Sequence, residues 1–317
     1  MPERAIVSLL SSATEMLHAL GAIHQLVGRS HECDYPPAVR SLPVCTRPLI
    51  DVNADSREID RQVRHSARHA ISIYEVFDDV LERLQPTHIL TQVQCDVCAV
   101  SLRDVERSIA SRLSSAPSLV ALNPCSLSDI WDDFRRVGDA AGVSAEPVIR
   151  SLGQRMQPVA RAHRPSIACI EWIEPLMAAG NWTPELIHLA GAEDVFGKPG
   201  VHSPWITWEQ LVAQDPELIV VAPCGFDLAR THAEMHWLEQ RPDFSTLRAV
   251  ENGSVFLADG NQFFNRPGPR VAEALEILNE IIDLAQLRNS TAASPTPASP
   301  APCRPGMWSL YSRGVPA

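Results

Sequence analysis

The chain alternates short apolar runs with helix-compatible segments, and this alternation is what most limits the folds open to it. In the first part, apolar runs cover residues 5–9, 25–28, 88–91 and 118–122, and each has the length and flanks of a buried strand. Predicted helices here cover residues 14–20, 56–82 with interruptions, and 101–113. Strands that alternate with helices form a parallel sheet covered by helices. The sequence therefore predicts an α/β fold.

The same alternation returns further along the chain. Predicted strands cover residues 166–172, 218–222 and 254–257, and predicted helices cover residues 183–190, 208–214, 227–239 and 269–287. Helical spacing and caps over residues 126–163 predict one or two helices between the two blocks. Helices make a stiffer connection than a Gly/Ser linker does. We therefore predict two lobes with mainly parallel, helix-flanked sheets joined by a rigid helical backbone.

The predicted domain boundaries follow from this pattern. An N-terminal α/β lobe covers residues 1–125, bridging helices cover 126–163, and a C-terminal α/β lobe covers 164–287. Residues 288–317 are rich in Ser, Thr, Ala and Pro, a composition that buries too little apolar surface to fold alone. We expect this tail to be disordered.

Charge and hydropathy exclude several classes of partner. The formal net charge of −11 argues against nucleic acid and against an anionic membrane surface, since both need a basic footprint. No apolar run approaches the ~18 residues that a transmembrane helix needs, so we expect no membrane-spanning segment. Residues 1–10 lack the basic start and the uninterrupted apolar stretch of a signal peptide. As written, the sequence predicts a cytoplasmic protein, and a periplasmic one if the start is misassigned.

Two polar segments follow predicted strands and carry ligand-type side chains. Residues 30–37 contain an imidazole and a thiol, and residues 92–98 contain a Cys-x-x-Cys pair. Loops at the carboxyl ends of parallel strands are where open sheets bind ligands. Two thiolates at this spacing reach one metal ion, and imidazole is a common metal ligand. The candidate metal ligands are His31, Cys33, Cys95 and Cys98.

Two further cysteines extend the predicted cluster of cleft thiols, and two other interpretations of these thiols stay open. Cys125 and Cys224 also fall at predicted strand ends, so three or more cleft thiols are expected within reach of one another. One alternative is that the thiols are small, buried and inert. Another is a redox or metal-dependent enzyme that uses Cys95 and Cys98. Phosphate-loop, dinucleotide-binding and nucleophile-elbow motifs are missing, which favours a binding protein over an enzyme.

The C-terminal lobe brings aromatic residues to strand ends and loops. Trp172, Trp182, Trp205 and Phe264 are placed to form a flat apolar wall, and Asn261 and Arg266 follow the strand over 254–257. A large planar ligand needs apolar faces with a few convergent polar groups. This pattern suits a metallated macrocycle better than a sugar or an amino acid.

Several segments resemble a known family. Residues 6–21, 84–90, 186–196 and 208–220 resemble the class III substrate-binding proteins that deliver vitamin B12 and iron-siderophores to ABC transporters. Within that family, the polar segments at His31–Pro37 and Gln94–Ser101 are similar to a subgroup usually described as cobalamin-binding. The resemblance implies two lobes, a ligand held in the cleft with little hinge closure, and docking on the transporter through one acidic residue per lobe. Glu75 and Glu209 lie at roughly matching positions.

These observations together predict a corrinoid-binding protein, either the substrate-binding component or a cytosolic relative of an ABC-type uptake system. The expected partners are the corrinoid and an ABC permease, and heme or a ferric siderophore is the alternative ligand. The candidate ligand-binding residues are Ser12, His31, Glu32, Cys33, Asp34, Gln92, Gln94, Cys95, Cys98, Trp172, Trp182, Trp205, Cys224, Phe226, Asn261, Phe264 and Arg266.

Overall fold

The computed structural model describes residues 4–69, 72–93, 114–291 and 306–312. The chain divides into two compact units. The first unit comprises Met1–Ala54 and Glu58–Gln154, and the second comprises Asp55–Arg57 and Arg155–Ala317. Each unit contains a mainly parallel sheet with helices next to it in sequence, which confirms the predicted α/β class.

The first unit is built on a four-stranded parallel sheet. Its strands are β1 (Ile6–Ser8), β2 (Leu26–Arg29), β5 (His88–Gln92) and β6 (Ser118–Leu122). The strand order is β2-β1-β5-β6. All four coincide within two residues with apolar runs of the sequence, because the sheet interior needs those side chains. A separate antiparallel pair joins β3 (Thr46–Pro48) to β4 (Tyr74–Val76).

The first-unit helices start and end at recognisable signals. They are α1 (Ser11–Ala19), α2 (Ser56–Arg68), α3 (Asp78–Leu84), α4 (Leu127–Ala141) and α5 (Glu146–Arg155). Helix α1 begins three residues before the predicted start and is followed by Gly21, whose φ of +72° suits a helix C-terminus. Ser126 caps α4 by accepting a hydrogen bond from the Asp129 amide.

The predicted interrupted helix over 56–82 is wrong in its middle. Strand β4 lies there, and its first residue Tyr74 and the preceding Ile73 are buried in the core of the first unit. A strand of three residues is too short to show a recognisable alternation of apolar and polar side chains. The helical pattern on either side therefore leads to a prediction of helix across this strand. The predicted helix over 101–113 lies outside the described residues.

The second unit is built on a six-stranded mixed sheet. Its strands are β7 (Ser166–Trp172), β8 (Met177–Ala178), β9 (Glu193–Asp194), β10 (Leu218–Val221), β11 (Val255–Ala258) and β12 (Trp308–Leu310). The order is β12-β11-β10-β7-β8, and β9 also pairs with β7. Strands β7, β10 and β11 run parallel, whereas β8 and β12 run antiparallel to their neighbours.

The second-unit helices surround a buried apolar core. They are α6 (Thr183–Leu189), α7 (Trp208–Gln214), α8 (Leu228–Glu234), α9 (His236–Glu239), α10 (Arg248–Glu251) and α11 (Val271–Thr291). The helix predicted over 227–239 is therefore two short helices. The core combines residues of β7, β10 and β11, such as Ile170, Val221 and Leu257, with residues of α7 such as Trp208.

The prediction of a disordered tail over 288–317 is wrong for both of its described parts, which form regular secondary structure. Helix α11 continues to Thr291, and residues 308–310 form strand β12. Trp308 and Tyr311 are buried, at 2% and 8% exposure. Burial of these two large aromatic side chains offsets part of the conformational entropy that the segment loses when it becomes ordered. The Pro- and Ser-rich composition of the tail does not predict this contribution.

Among the described residues, no helix is long and apolar enough to cross a membrane.

Candidate functional site

Three neighbouring parallel strands of the second unit end at one edge of its sheet. Strand β7 ends at Trp172, β10 leads into the turn over 222–226, and β11 leads into the loop over 259–266. We call these carboxyl ends the second-unit edge. Ligands of open parallel sheets bind at such an edge. Six residues predicted from the sequence lie here: Trp172, Cys224, Phe226, Asn261, Phe264 and Arg266.

Glu171 is the central acid of the second-unit edge. Its carboxylate accepts hydrogen bonds from Ser203 Oγ at 3.0 and 2.9 Å and from the Gly180 amide. Its backbone carbonyl accepts from the Cys224 amide at 3.0 Å, which links the ends of β7 and β10. Burial raises the pKa of Glu171, and the Ser203 and Gly180 bonds oppose that rise.

Aromatic rings stack beside this acid. The ring centroids of Trp172 and Phe226 lie 5.3 Å apart, and the Arg230 guanidinium lies 3.7 Å from the Phe226 centroid. The indole N–H groups of Trp172 and Trp182 are buried and have no hydrogen-bond partner among the residues that the structure describes. Buried polar groups in proteins are normally paired, so these two donors are exceptions.

The four rings predicted to form a flat wall differ in exposure. Trp182 and Phe264 are buried, at 6% and 2%, and Trp172 is half-buried. Trp205 is 55% exposed, and it forms an isolated bridge with Met177 beside β8. Trp205 is therefore the one ring of these four that presents most of its surface to solvent in the second unit. A shared ligand wall stays a prediction.

The loop over 259–266 is organised by its own polar side chains. The Asp259 carboxylate accepts from the Gln262 amide at 2.7 Å and from Gln262 Nε2 at 2.8 Å. Buried Arg266 donates to Asn261 Oδ1 at 3.1 Å. These bonds hold an amide and a guanidinium at the carboxyl end of β11.

Gly260 explains the tight path of this loop. A Cβ atom at this position would lie 2.1 Å from the Pro223 carbonyl oxygen and 2.5 Å from that of Ala222. Only a residue without a side chain fits such an approach between backbones. The backbone of the loop after β11 therefore packs directly against the turn after β10.

His31 lies at the carboxyl end of β2 in the first unit. Its Nδ1 lies 2.9 Å from Thr46 Oγ1, and its ring centroid lies 5.4 Å from that of Tyr74. Burial and the positive charge of Arg29 lower the pKa of His31 to about 4. The ring is therefore neutral near pH 7, which is the form that binds metals.

Cys33 does not have the environment of a metal ligand. It is 1% exposed, and its sulfur lies 3.0 Å from Thr14 Oγ1 and 3.3 Å from Ser30 Oγ. Burial raises the pKa of this thiol, so the thiolate that binds metals is disfavoured. In the part of the chain that the structure describes, no three His, Cys, Asp or Glu residues are placed to hold a metal ion.

His31 and Cys33 are therefore not part of a three-residue metal cluster among the described residues, and the full predicted metal set stays a prediction. Cys95 and Cys98, together with Gln94, lie outside the described residues. The described cysteines are free thiols: Cys33, Cys45, Cys125, Cys169 and Cys224. Cys125 and Cys224 are half-buried at strand ends, as expected, but the clustering of three cleft thiols stays a prediction.

The remaining first-unit candidates differ in accessibility. Ser12 and Gln92 are buried, at 4% and 6%, in the first turn of α1 and at the end of β5. Glu32 and Asp34 are half-buried in the loop after β2.

The two acidic residues predicted to dock on a transporter differ in their surroundings. Glu75 pairs with Arg47, whereas Glu209 is exposed in the first turn of α7.

Sequence reasoning missed two residues beside Glu171. Ser203 supplies the hydroxyl that bonds the carboxylate, and Asn181 lies 3.5 Å from Ser203 Oγ through its Nδ2. Asn181 has a φ of +54°, and its buried Oδ1 has no hydrogen-bond partner in the described part of the chain. Ser203 follows Glu171 by 32 residues, and no spacing rule connects them.

No protein-family model matches the sequence. The vitamin B12-binding protein of Vibrio cholerae is 24% identical over 297 residues, which cover 90% of this chain and 91% of that protein. The crystal structure of the V. cholerae B12-binding protein BtuF aligns with a TM-score of 0.58 at 20% identity, covering 89% and 98% of the two chains. The V. cholerae heme-binding protein HutB aligns with a TM-score of 0.63 at 16% identity, covering 88% and 98%.

These likenesses establish the fold. The chain has the α/β fold of periplasmic binding proteins, and it spans nearly the whole of each of these relatives. Proteins whose names specify B12 and heme align about equally well, so the fold does not distinguish between these ligands.

Proposed function

We propose that this chain is the substrate-binding component of an ABC-type uptake system and that its substrate is a corrinoid. The single observation that most supports this is the 24% identity with a vitamin B12-binding protein along nearly all of both chains. Local chemistry at the second-unit edge supports the same class of ligand.

A corrinoid is a large, flat ring with amide side chains, and the second-unit edge offers groups that suit both parts. The exposed Trp205 and half-buried Trp172 present flat apolar surface for the ring. Asn261 and Arg266 offer an amide and a guanidinium for peripheral amide oxygens.

Heme is the second candidate ligand. The observation in its favour is the heme-binding neighbour, which aligns with a TM-score of 0.63. Arg266 would then pair with a heme propionate instead of an amide. An enzyme that uses Cys95 and Cys98 has no supporting observation among the described residues, because the other thiols are free and mostly buried.

The test is co-elution with a coloured ligand. Purified protein is incubated with cyanocobalamin or hemin and passed over a desalting column, and the absorbance of the protein fraction is recorded. We expect the corrinoid spectrum to travel with the protein. A protein fraction that carries hemin and leaves cyanocobalamin behind would reject the corrinoid and retain the binding role.

A matched pair of variants tests the position of the site. Trp205→Ala removes an exposed ring near the second-unit edge, so we expect retention of cyanocobalamin to fall. Leu287→Ala removes an apolar side chain of similar exposure on α11. Leu287 lies about 24 Å along this helix from its first residue, Val271. We expect that variant to bind as the unaltered protein does. An equal loss of cyanocobalamin retention in both variants would show that the ligand does not bind at the second-unit edge.

Delivery to a transporter is the remaining part of the proposal. Glu209 is exposed on α7, and Glu75 has a 42% exposed side chain paired with Arg47. Either acid would meet an arginine of a permease through a charge-assisted pair. A periplasmic location goes with this role, as in the neighbours named above, and cell fractionation tests it. Recovery of the protein in the cytoplasm alone would argue for a relative that does not deliver to a permease.

A further inference from the structure

Strand β12 pairs with β11, the strand that leads into the loop carrying Asn261 and Arg266. Strand β12 covers the open side of β11, with Ala258 opposite Trp308 and Phe256 opposite Leu310. Without β12, strand β11 would be an edge strand whose outer backbone groups have no partner strand.

The pairing extends one residue beyond β11, into the loop over 259–266. The Asp259 amide donates to the Met307 carbonyl at 2.9 Å, and at the other end the Tyr311 amide donates to the Val255 carbonyl at 2.9 Å. Asp259 is thus fixed by its backbone to the C-terminal segment and by its carboxylate to Gln262. The geometry of the loop therefore begins at a residue that β12 holds.

Side chains anchor the C-terminal segment to the second unit at two points. Trp308 is 2% exposed, donates from Nε1 to Glu280 Oε2 at 2.8 Å, and stacks edge-on against Phe256 at 5.8 Å. Tyr311 bonds Glu239 through its hydroxyl. The tail segment over 306–312 is consequently a packed part of the fold.

We propose that Trp308 and the strand it anchors are positioning elements for the ligand-binding loop over 259–266. This inference rests on the proposed function, because the loop carries Asn261 and Arg266. Docked β12 holds the Asp259 amide, Asp259 orders the turn through Gln262, and Asn261 then holds Arg266 at 3.1 Å. A binding group that is held in place before the ligand arrives loses less entropy on binding. Undocking of the tail lowers affinity without removing any group that touches the ligand.

The experiment compares full-length Trp308→Ala with full-length Trp208→Ala. Trp208 is a matched control because it is buried in the same unit and donates from Nε1 at 2.7 Å to the carbonyl of Pro242, a residue outside the loop over 259–266. Amide hydrogen exchange is followed by mass spectrometry for peptides that cover 255–266. Dissociation constants for cyanocobalamin and hemin are measured on the same samples.

We expect Trp308→Ala to speed exchange over 259–266 and to raise the dissociation constant of whichever probe binds by about tenfold or more. Trp208→Ala should lower the melting temperature and leave both quantities within about twofold of the unaltered protein. Faster exchange over 306–312 with unchanged exchange over 259–266 would overturn the inference.

A gentler variant covers the case in which Trp308→Ala does not fold. Tyr311→Phe with Glu280→Gln weakens both anchors without creating a cavity, and the same two readouts apply with smaller effects. If the unaltered protein binds neither probe, the proposed function fails, and the exchange measurement alone still decides whether β12 orders the loop.

Discussion

Ser203 Oγ donates to the Glu171 carboxylate from within 3.0 Å of both of its oxygens, and this contact ties the end of β7 to the loop before α7. The hydroxyl stabilises the charged carboxylate, whereas burial favours the neutral acid. The two effects oppose each other, so the contribution of the Ser203 hydroxyl depends on whether Glu171 is ionised.

The first prediction concerns Ser203→Ala. Removing the hydroxyl raises the pKa of Glu171 further, so the variant loses stability as pH rises through that pKa. We expect a loss of about 1–3 kcal/mol at pH 7.5 and a smaller loss near pH 4, where the protonated acid needs no donor for its charge. Chemical denaturation at both pH values measures the difference. In Glu171→Gln, the Ser203→Ala change should cost the same at both, and a pH-independent cost with Glu171 present would contradict the assignment.

The second prediction concerns His31, whose pKa is lowered to about 4 from an ordinary value of 6.5. Because the folded-state pKa lies below the unfolded one, the stabilisation from the neutral ring is complete above pH 6.5. It is lost as the pH falls through 4. Between pH 7 and 4, we expect unaltered protein to lose on the order of 2 kcal/mol more than His31→Gln does. An imidazole that titrates near pH 6.5 by NMR would refute this account.

The third prediction concerns the C-terminus of α4. Arg4 donates to the carbonyl oxygens of Asp139 and Ala140, at 2.8 and 2.6 Å, where a helix end attracts positive charge. Arg4→Ala should lower the free energy of unfolding by about 1–2 kcal/mol. Arg135→Ala is the control, because its ion pairs are exposed and screened by solvent and therefore contribute little to stability. Equal costs for the two variants would show that Arg4 does not cap α4.

The fourth prediction compares two glycines. Gly260→Ala forces a Cβ against the Pro223 and Ala222 carbonyls, so we expect a destabilisation of about 3 kcal/mol or more together with weaker ligand binding. Gly153→Ala adds a Cβ where nothing lies within 4 Å, and it should be neutral or stabilise α5 by up to about 1 kcal/mol. Thermal denaturation of the two variants measures both effects, and a well-tolerated Gly260→Ala would refute the close approach of the two loops.

Most of the sheet architecture could be predicted from the sequence. The strands of the two main parallel sheets are continuous apolar runs, and the burial that selects those residues is visible without a structure. Strands β4 and β12 could not be predicted in the same way. Each has three residues, and each owes its conformation to a partner strand distant in the chain.

The candidate site was predictable only in part, for a related reason. Asn261 and Arg266 follow directly from the end of a recognisable strand, so topology places them. The exposure of each ring depends on tertiary packing, which buries Phe264 and Trp182 and leaves Trp205 in solvent. Ser203 acts on Glu171 across a separation of 32 residues. No local pattern encodes such a contact.

The most direct test of the central claim is calorimetric titration of the full chain with cyanocobalamin, run beside an identical titration with hemin at micromolar protein. We expect saturable heat at one cyanocobalamin per chain and a higher dissociation constant for hemin. Saturation with hemin and no heat with cyanocobalamin would contradict the corrinoid assignment, and no heat with either would contradict a role in binding these macrocycles.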